Sequence, residues 1–333
     1  MGDKTGIEWT DATWNPTTGC TKVSQGCKHC YAERDWPRLV HLPNYKGRAF
    51  TDVARHPVRL LQPLQWKKPR RIFVNSMSDL FHEDIPDEFI DGVFAVMALC
   101  QRHTFQVLTK RPARMLNYMK RLGKSAKLLD IAAREIGYTF LFDGRYNIRW
   151  PIQNVWLGVS VEDQSTADER TPLLLQTPAA VRWISAEPVL GPVRVGQYLS
   201  RTNMPGLSML PGFVDPLPGI DWVVAGGESG PKARPMHPQW ARSLRDQCAA
   251  AGVPFFFKQW GEWAPQPMCG KSEGLYLDII GGQHPHTEFP QVPEPNPCRT
   301  SAQWHWVGKC GKHAAGRLLD GALHDGYPEV ASE

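Results

Sequence analysis

The chain has 333 residues, with 38 Lys and Arg against 33 Asp and Glu, a formal charge of +5, 8 cysteines and 13 tryptophans. That length suits one large α/β barrel or two ordinary domains, with ample core in either case. No run of about eighteen apolar residues is present, and Met1-Gly2-Asp3-Lys4-Thr5-Gly6 lacks the apolar stretch of a signal peptide. A membrane span and secretion are therefore disfavoured, and a soluble cytoplasmic protein with reduced thiols is expected.

An initial strand is expected near Glu8 to Trp14. It leads into Gly19-Cys20-Thr21-Lys22-Val23-Ser24-Gln25-Gly26-Cys27-Lys28-His29-Cys30-Tyr31, where three cysteines follow a C-x6-C-x2-C spacing. Three thiolates can hold three corners of a cubane 4Fe-4S cluster and leave the fourth iron open for reaction. The same residues suit a structural zinc site, Cys3His, with His29 or a distant His as fourth ligand. The spacing matches neither standard signature closely, so both readings stand at this point. Cys100, Cys248, Cys269, Cys298 and Cys310 are scattered without pairing spacings.

Near-continuous apolar runs recur at Arg71–Asn75, Thr104–Thr109, Val155–Ser160, Val181–Ser185, Trp222–Gly226 and Pro254–Lys258. Such runs are expected of parallel strands covered on both faces. Between them, Asp87 to Arg102 places Phe89, Val93, Val96, Met97 and Cys100 on one helical face, with Pro86 at a first-turn position. Pro238 to Ala251 does the same with Trp240, Leu244 and Cys248, and Gly252 is a natural stop. Cys100 and Cys248 thus read as small core residues. The β-α rhythm predicts a (β/α) barrel, complete or partly open, with a doubly wound sheet as the alternative.

Two Pro- and Gly-rich stretches interrupt the rhythm, Tyr198 to Ile220 and Ala264 to Trp304. The second reads as a lid, because it follows a strand end directly. The expected organisation is a barrel over 1–263 with a cluster loop at 19–31, an insertion or lid over 264–306, and a C-terminal segment over 307–333 packing on the barrel. Positive charge concentrates in Lys67-Lys68-Pro69-Arg70-Arg71 and in Lys110, Arg111, Arg114, Lys120, Arg121 and Lys124. Those clusters suit a phosphate backbone, or else are solvated helix faces.

Chemistry in a (β/α) barrel sits at the C-terminal ends of the strands. There the chain carries Ser76-Met77-Ser78-Asp79, Thr109-Lys110-Arg111-Pro112, Ser160-Val161-Glu162, Ser185-Ala186-Glu187-Pro188, Gly226-Gly227-Glu228-Ser229-Gly230 and Lys258-Gln259-Trp260. Each alone suits a cap, a turn or a surface ion pair. Together they predict one polar cavity at the barrel mouth.

A cysteine triad in the loop after the first strand, with a ring immediately before its last cysteine (here His29), resembles the radical S-adenosylmethionine superfamily. The chain more closely resembles a phage-associated three-cysteine branch. The segments that carry the likeness are Trp14-Asn15-Pro16, Gly19-Cys20, Phe73 to His82, Leu108 to Pro112, Gly158 to Glu162, Ile184 to Pro188, Gly226 to Gly230 and Lys258-Gln259-Trp260-Gly261, and it spans roughly residues 5 to 325. The superfamily's usual spacing is C-x3-C-x2-C, so the cluster loop is longer here. Its Gly-Gly-Glu, which holds the methionine amino group, follows the second strand; in this chain Ser76-Met77-Ser78-Asp79 takes that place, and the literal Gly226-Gly227-Glu228 comes after the sixth.

The resemblance implies a 4Fe-4S cluster on Cys20, Cys27 and Cys30, and S-adenosyl-L-methionine bound at the open iron. By strand position it puts Ser76, Ser78 and Asp79 at the methionyl amino group and Ser160 and Glu162 near the ribose and carboxylate, with Lys110 or Lys258 to meet a carboxylate. Glu187, Glu228 and Lys258 become candidate catalytic groups. The implied reaction is one-electron cleavage of S-adenosylmethionine to methionine and a 5′-deoxyadenosyl radical, fed by an external one-electron reductant. The expected substrate is DNA, where a hypermodified thymidine base would be modified or rearranged (isomerised), in the host cytoplasm if the chain is phage-encoded. Trp260 and Trp263 are candidate stacking surfaces for an extruded base. The alternatives are the same chemistry on a free nucleoside, RNA or peptide, DNA photoproduct repair, and a zinc-stabilised nucleic-acid-binding module without catalysis.

Overall fold

The computed structural model describes residues 5–125, 127–137, 149–199, 219–265, 274–285 and 304–329. The chain divides into two compact units, Met1–Ser160 with Arg170–Trp183, and Val161–Glu169 with Ile184–Glu333. In chain order the elements are β1 (Ala12–Trp14), β2 (Thr17–Thr18), α1 (Tyr31–Leu39), β3 (Ala54–Arg55), β4 (Arg71–Val74), α2 (Asp87–Leu99), β5 (Thr104–Thr109), α3 (Pro112–Lys124), α4 (Lys127–Glu135), β6 (Val155–Ser160), α5 (Gln164–Leu175), β7 (Val181–Ala186), α6 (Gly196–Leu199), β8 (Trp222–Gly226), α7 (Pro238–Ala251), β9 (Phe255–Gln259), β10 (Trp263–Pro265), β11 (Gly274–Asp278), β12 (Gln283–Pro285), β13 (Trp304–Lys309) and α8 (Lys312–Ala315).

The large sheet has seven strands in the order β1-β4-β5-β6-β7-β8-β9. Its β1–β4, β4–β5, β5–β6 and β8–β9 pairs run parallel. Strand order follows chain order without reversal, as in a singly wound (β/α) sheet. A doubly wound sheet needs a switch point where the order turns back, so that alternative falls. The fold is a mixed α/β architecture on a large parallel sheet, compatible with a partial barrel.

In the first unit the apolar runs are buried as their composition predicts. Ile72, Val74, Phe105, Val107 and Val159 have at most 1% of their surface exposed, and Trp14 is fully enclosed, its indole N–H donating to the Arg59 carbonyl at 2.7 Å. Helix α2 is buried on nearly every side from Ile90 to Leu99, including Asp91, which accepts from the Tyr118 hydroxyl at 2.8 Å and pairs with Arg121 at 2.6 Å. Pro86 stands at the cap of α2, one residue ahead of the first turn in which the sequence placed it.

In the second unit α7 spans the residues its periodicity predicts. His237 caps it, accepting from the Gln239 amide at 3.1 Å, and Gly252 ends it in the left-handed region at φ 67°. Cys100 and Cys248 are fully buried, and burial pushes both thiols up to about 12, as befits core residues. The stretch from Ala264 onward contributes an antiparallel sheet, β10-β13-β11-β12, where the composition had suggested only a Pro/Gly/His-rich cover. Most of the Tyr198–Ile220 loop, much of 264–304, Cys269 and Cys298 lie outside the described residues. No helix among the described residues is long and apolar enough to cross a membrane.

Candidate functional site

The cysteine loop starts where β1 ends, and the first unit anchors it before the first thiol. Asn15 Oδ1 accepts from the Met77 amide at 2.9 Å, and the Asn15 side chain also exchanges hydrogen bonds with the Ser76 hydroxyl. Thr17 Oγ lies 2.8 Å from Ser78 Oγ and accepts from the Asn75 amide group at 2.9 Å. The Gly19 N–H donates to the Met77 carbonyl at 3.1 Å, while Gly19 itself stands at φ 91°, and a Cβ there would come within 2.4 Å of the Asp52 carbonyl oxygen. Glycine is the residue that this approach permits. Cys20 follows, its amide donating to Phe50 O at 2.9 Å.

Cys27 ends a short 3-10 turn, and Cys30 is the N-cap residue of α1. All three thiols are free and partly exposed. Burial pushes Cys20 up to about 11, with the Asp79 carboxylate adding and Arg111 opposing. Burial also raises Cys30, opposed by the Glu33 and Ala32 amides at the start of α1 and by the Lys110 charge. Cys27 acts electrostatically on both of the others.

Under this loop lies a buried ionic node formed by the ends of β4 and β5. Asp79, 6% exposed, accepts from Thr109 Oγ at 2.7 and 2.9 Å, from the Phe81 and Lys110 amides at 3.0 Å each, and from Arg111 Nη1 at 3.3 Å. Arg111 extends the node to the cysteine loop: Nη2 donates to Thr21 Oγ at 2.9 Å, and Nη1 lies 3.7 Å from Cys20 Sγ. Thr21 Oγ also lies 2.8 Å from His82 Nε2, and burial lowers the His82 pKa with the Arg111 charge adding. Three segments far apart in sequence, 15–30, 75–83 and 109–111, thus meet in one place.

The structure gathers Cys20, Cys27, Cys30, Ser76, Ser78, Asp79 and Lys110 into this first-unit site. Ser160 is in the same unit, buried at the end of β6, its carbonyl accepting from Arg170 Nη1 at 2.9 Å. Glu162, Glu187, Glu228 and Lys258 belong to the second unit. There Glu162 is fully buried, Lys258 forms a short ion pair with Glu187, and Glu228 takes Arg234 in a fork, Nη2 to Oε1 at 2.6 Å and Nε to Oε2 at 2.9 Å. The Gly226-Gly227-Glu228 run has a packing reason, since a Cβ on Gly227 would sit 1.9 Å from the Trp260 carbonyl oxygen.

Trp260 is 2% exposed and donates to Leu318 O at 2.8 Å, so it is core rather than a stacking platform. Trp263 donates to Ala233 O at 2.7 Å and lies under Lys309. Residues that the sequence reading left out of the site are Thr21, His82, Glu83, Thr109 and Arg111, all inside or beside segments it had marked.

Three free thiols on one loop, each partly accessible and with the buried Arg111 beside the first, are of a donor type that would serve an iron-sulfur cluster or a zinc ion. Among the described residues no group of three or more His, Cys, Asp or Glu side chains is drawn up to metal-holding geometry.

Next to the loop, His56 Nε2 lies 2.8 Å from Thr18 Oγ, and burial, with Arg59 and Arg48 adding, pushes its ring from the ordinary 6.5 down to about 4. The fold therefore favours the neutral ring. Its contribution is complete above pH about 6.5 and is lost as the pH falls toward about 4, at no more than about 1.4 kcal/mol per pH unit. Urea midpoints measured from pH 7 to 4 should fall through this window, and less steeply in His56→Gln. An equal slope in the variant would remove His56 as a cause.

The model of a family described as "Protein of unknown function (DUF5131)" matches residues 4–328 of the chain. No curated protein and no solved structure matches it.

Proposed function

The chain belongs to the DUF5131 family of proteins of unknown function, and we propose that it is a radical S-adenosylmethionine enzyme with a 4Fe-4S cluster held by Cys20, Cys27 and Cys30. The observation that carries this reading is the anchoring of a three-thiol loop, through Thr17, Gly19 and Thr21, onto polar groups at the ends of β4 and β5. If bound, such a cluster would offer an open iron to S-adenosylmethionine and, once reduced by an external one-electron donor, the electron for its cleavage to methionine and a 5′-deoxyadenosyl radical.

The residues of the chain supply binding and orientation. Ser76 and Ser78 present hydroxyls beside the loop, and Lys110, whose charge acts on Cys30, is the cation proposed to meet a carboxylate. The Asp79 carboxylate already accepts from four groups, so its part is to fix the strand ends; to bind an ammonium it would have to release one of them.

A base in DNA is the proposed substrate, a hypermodified thymidine by the resemblance. Residues 20–48 hold six Lys and Arg against two Asp and Glu, and five of the six are exposed; Lys22 and Arg34 pair with Glu33 at 2.7 Å and Asp35 at 3.4 Å, which leaves Lys28, Arg38 and Lys46 to carry the positive charge. This basic rim suits phosphate contacts around the loop. Arg111, Arg114 and Arg121 of the other basic run hold intramolecular ion pairs with Asp79, Asp87 and Asp91 and leave less charge there for a nucleic acid.

The test is anaerobic reconstitution with iron and sulfide, then reduction with S-adenosylmethionine with and without DNA, quantifying 5′-deoxyadenosine. Formation that rises with DNA is expected. Formation without that rise would keep the chemistry and move the substrate to a nucleoside, RNA or peptide. Zinc in the purified protein with no 5′-deoxyadenosine would overturn the reading in favour of a binding module.

A further inference from the structure

We infer that Arg111 is the positioning residue of the cysteine site: one buried guanidinium fixes the Cys20-Thr21 turn and presents a charged hydrogen-bond donor to the Cys20 sulfur. The redox part of this inference rests on the iron-sulfur reading above; the positional part does not.

Each nitrogen of the guanidinium has a distinct task. Nε donates to Glu83 Oε1 at 3.0 Å and Oε2 at 3.1 Å, Nη1 faces Asp79 Oδ2 at 3.3 Å and Cys20 Sγ at 3.7 Å, and Nη2 donates to Thr21 O at 3.3 Å and Thr21 Oγ at 2.9 Å. The side chain is 6% exposed, and its own backbone is held by the Arg111 amide donating to Thr109 Oγ at 2.8 Å, just ahead of Pro112 at the first turn of α3. A planar fork clamped along its length keeps its orientation. The compact ammonium of a lysine could not reach both Thr21 and Glu83 from the same place.

The charges around Cys20 show why the clamp matters. The Asp79 carboxylate, 8% exposed at its side chain, opposes negative charge on the Cys20 sulfur, and Arg111 offsets it. Glu83 is 65% exposed, so water screens most of its share. Without Arg111 the sulfur would face a buried carboxylate alone. Hydrogen bonds and charge at the ligand sulfurs are the levers that set a cluster's reduction potential and affinity, so removal should lower both.

The experiment compares wild type, Arg111→Lys and Arg111→Gln, first without iron, as the anaerobic alkylation rate of each cysteine, read by mass spectrometry and normalised to its thiolate fraction from the pH profile, because losing the Arg111 charge by itself slows labelling. Cys20 should label several-fold faster in both variants, with Cys27 and Cys100 unchanged. After reconstitution, iron affinity should fall about tenfold or more in Arg111→Gln, and the midpoint potential from an EPR redox titration should drop, with Arg111→Lys recovering part of the drop. A merely structural role would shift thermal stability and all cysteines together and leave the potential in place.

Unchanged Cys20 labelling, or an unmoved potential in a loaded variant, overturns the inference. If wild type takes up no cluster, the functional reading fails and Cys20 labelling alone decides the positional role. If the Arg111 variants do not fold, Thr21→Val, which deletes the hydroxyl that Nη2 reaches, carries the test: faster labelling confined to Cys20 supports the clamp, and unchanged labelling overturns it.

Discussion

Asp79→Ala is expected to destabilise the protein by about 3–5 kcal/mol, the cost of leaving a buried charge without its partner. The charge is that of Arg111, 7% exposed, which would keep only the largely exposed Glu83 as an ion partner, and the loss extends further because Thr109 Oγ and the Phe81 and Lys110 amides lose their acceptor as well. Asp79→Asn keeps a carbonyl oxygen but turns an amide N–H₂ toward donors, and should fall between wild type and alanine. Urea unfolding of the iron-free protein at pH 7 measures both. In the double variant Asp79→Ala/Arg111→Met the summed losses should exceed the measured one, because neither charge is then stranded. Strict additivity would show that the pair is not coupled and that the node does not hold the loop.

The parallel strands were legible because strands covered on both sides need continuous apolar runs, and Val74, Val107 and Val159 are buried as the pattern requires. The choice between a barrel-like and a doubly wound sheet was not legible, since strand order is set by pairing and not by any one segment. The antiparallel strands after Trp263 were hidden by their brevity: three to six residues each, set among Pro, Gly and His, carry too little periodicity to read.

Part of the candidate site was legible as well. The cysteine spacing and the polar strand ends named the loop and the segments that meet it. Arg111 was not singled out, because from sequence it is one cation in a basic run, and only the fold shows that Asp79 and Thr21 converge on it. The glycines of Gly226-Gly227-Glu228 have a reason that the sequence does not show. They allow close approach of two backbone segments, and the Glu228 carboxylate pairs with Arg234.

Cys20→Ala, Cys27→Ala and Cys30→Ala should each leave less than about a tenth of the iron and sulfide that wild type takes up, and no measurable 5′-deoxyadenosine, because on the proposed reading each lost thiolate removes one of three protein ligands. Their stability before reconstitution should change little, as all three thiols are partly exposed. The buried cysteines supply the opposite pattern. Cys100→Ala and Cys248→Ala delete a sulfur from a close-packed interior and should cost about 1–2 kcal/mol, yet load iron and cleave S-adenosylmethionine as wild type does. Iron content, the visible absorption of the reconstituted protein and urea midpoints on all five variants separate the two classes. A normal iron-sulfur spectrum in all three loop variants would sink the assignment of the site, and loss of the cluster in Cys100→Ala or Cys248→Ala without unfolding would place its ligands elsewhere. The crossed result, stability lost in one set and iron in the other, ties the cluster to the loop that Arg111 and Asp79 hold.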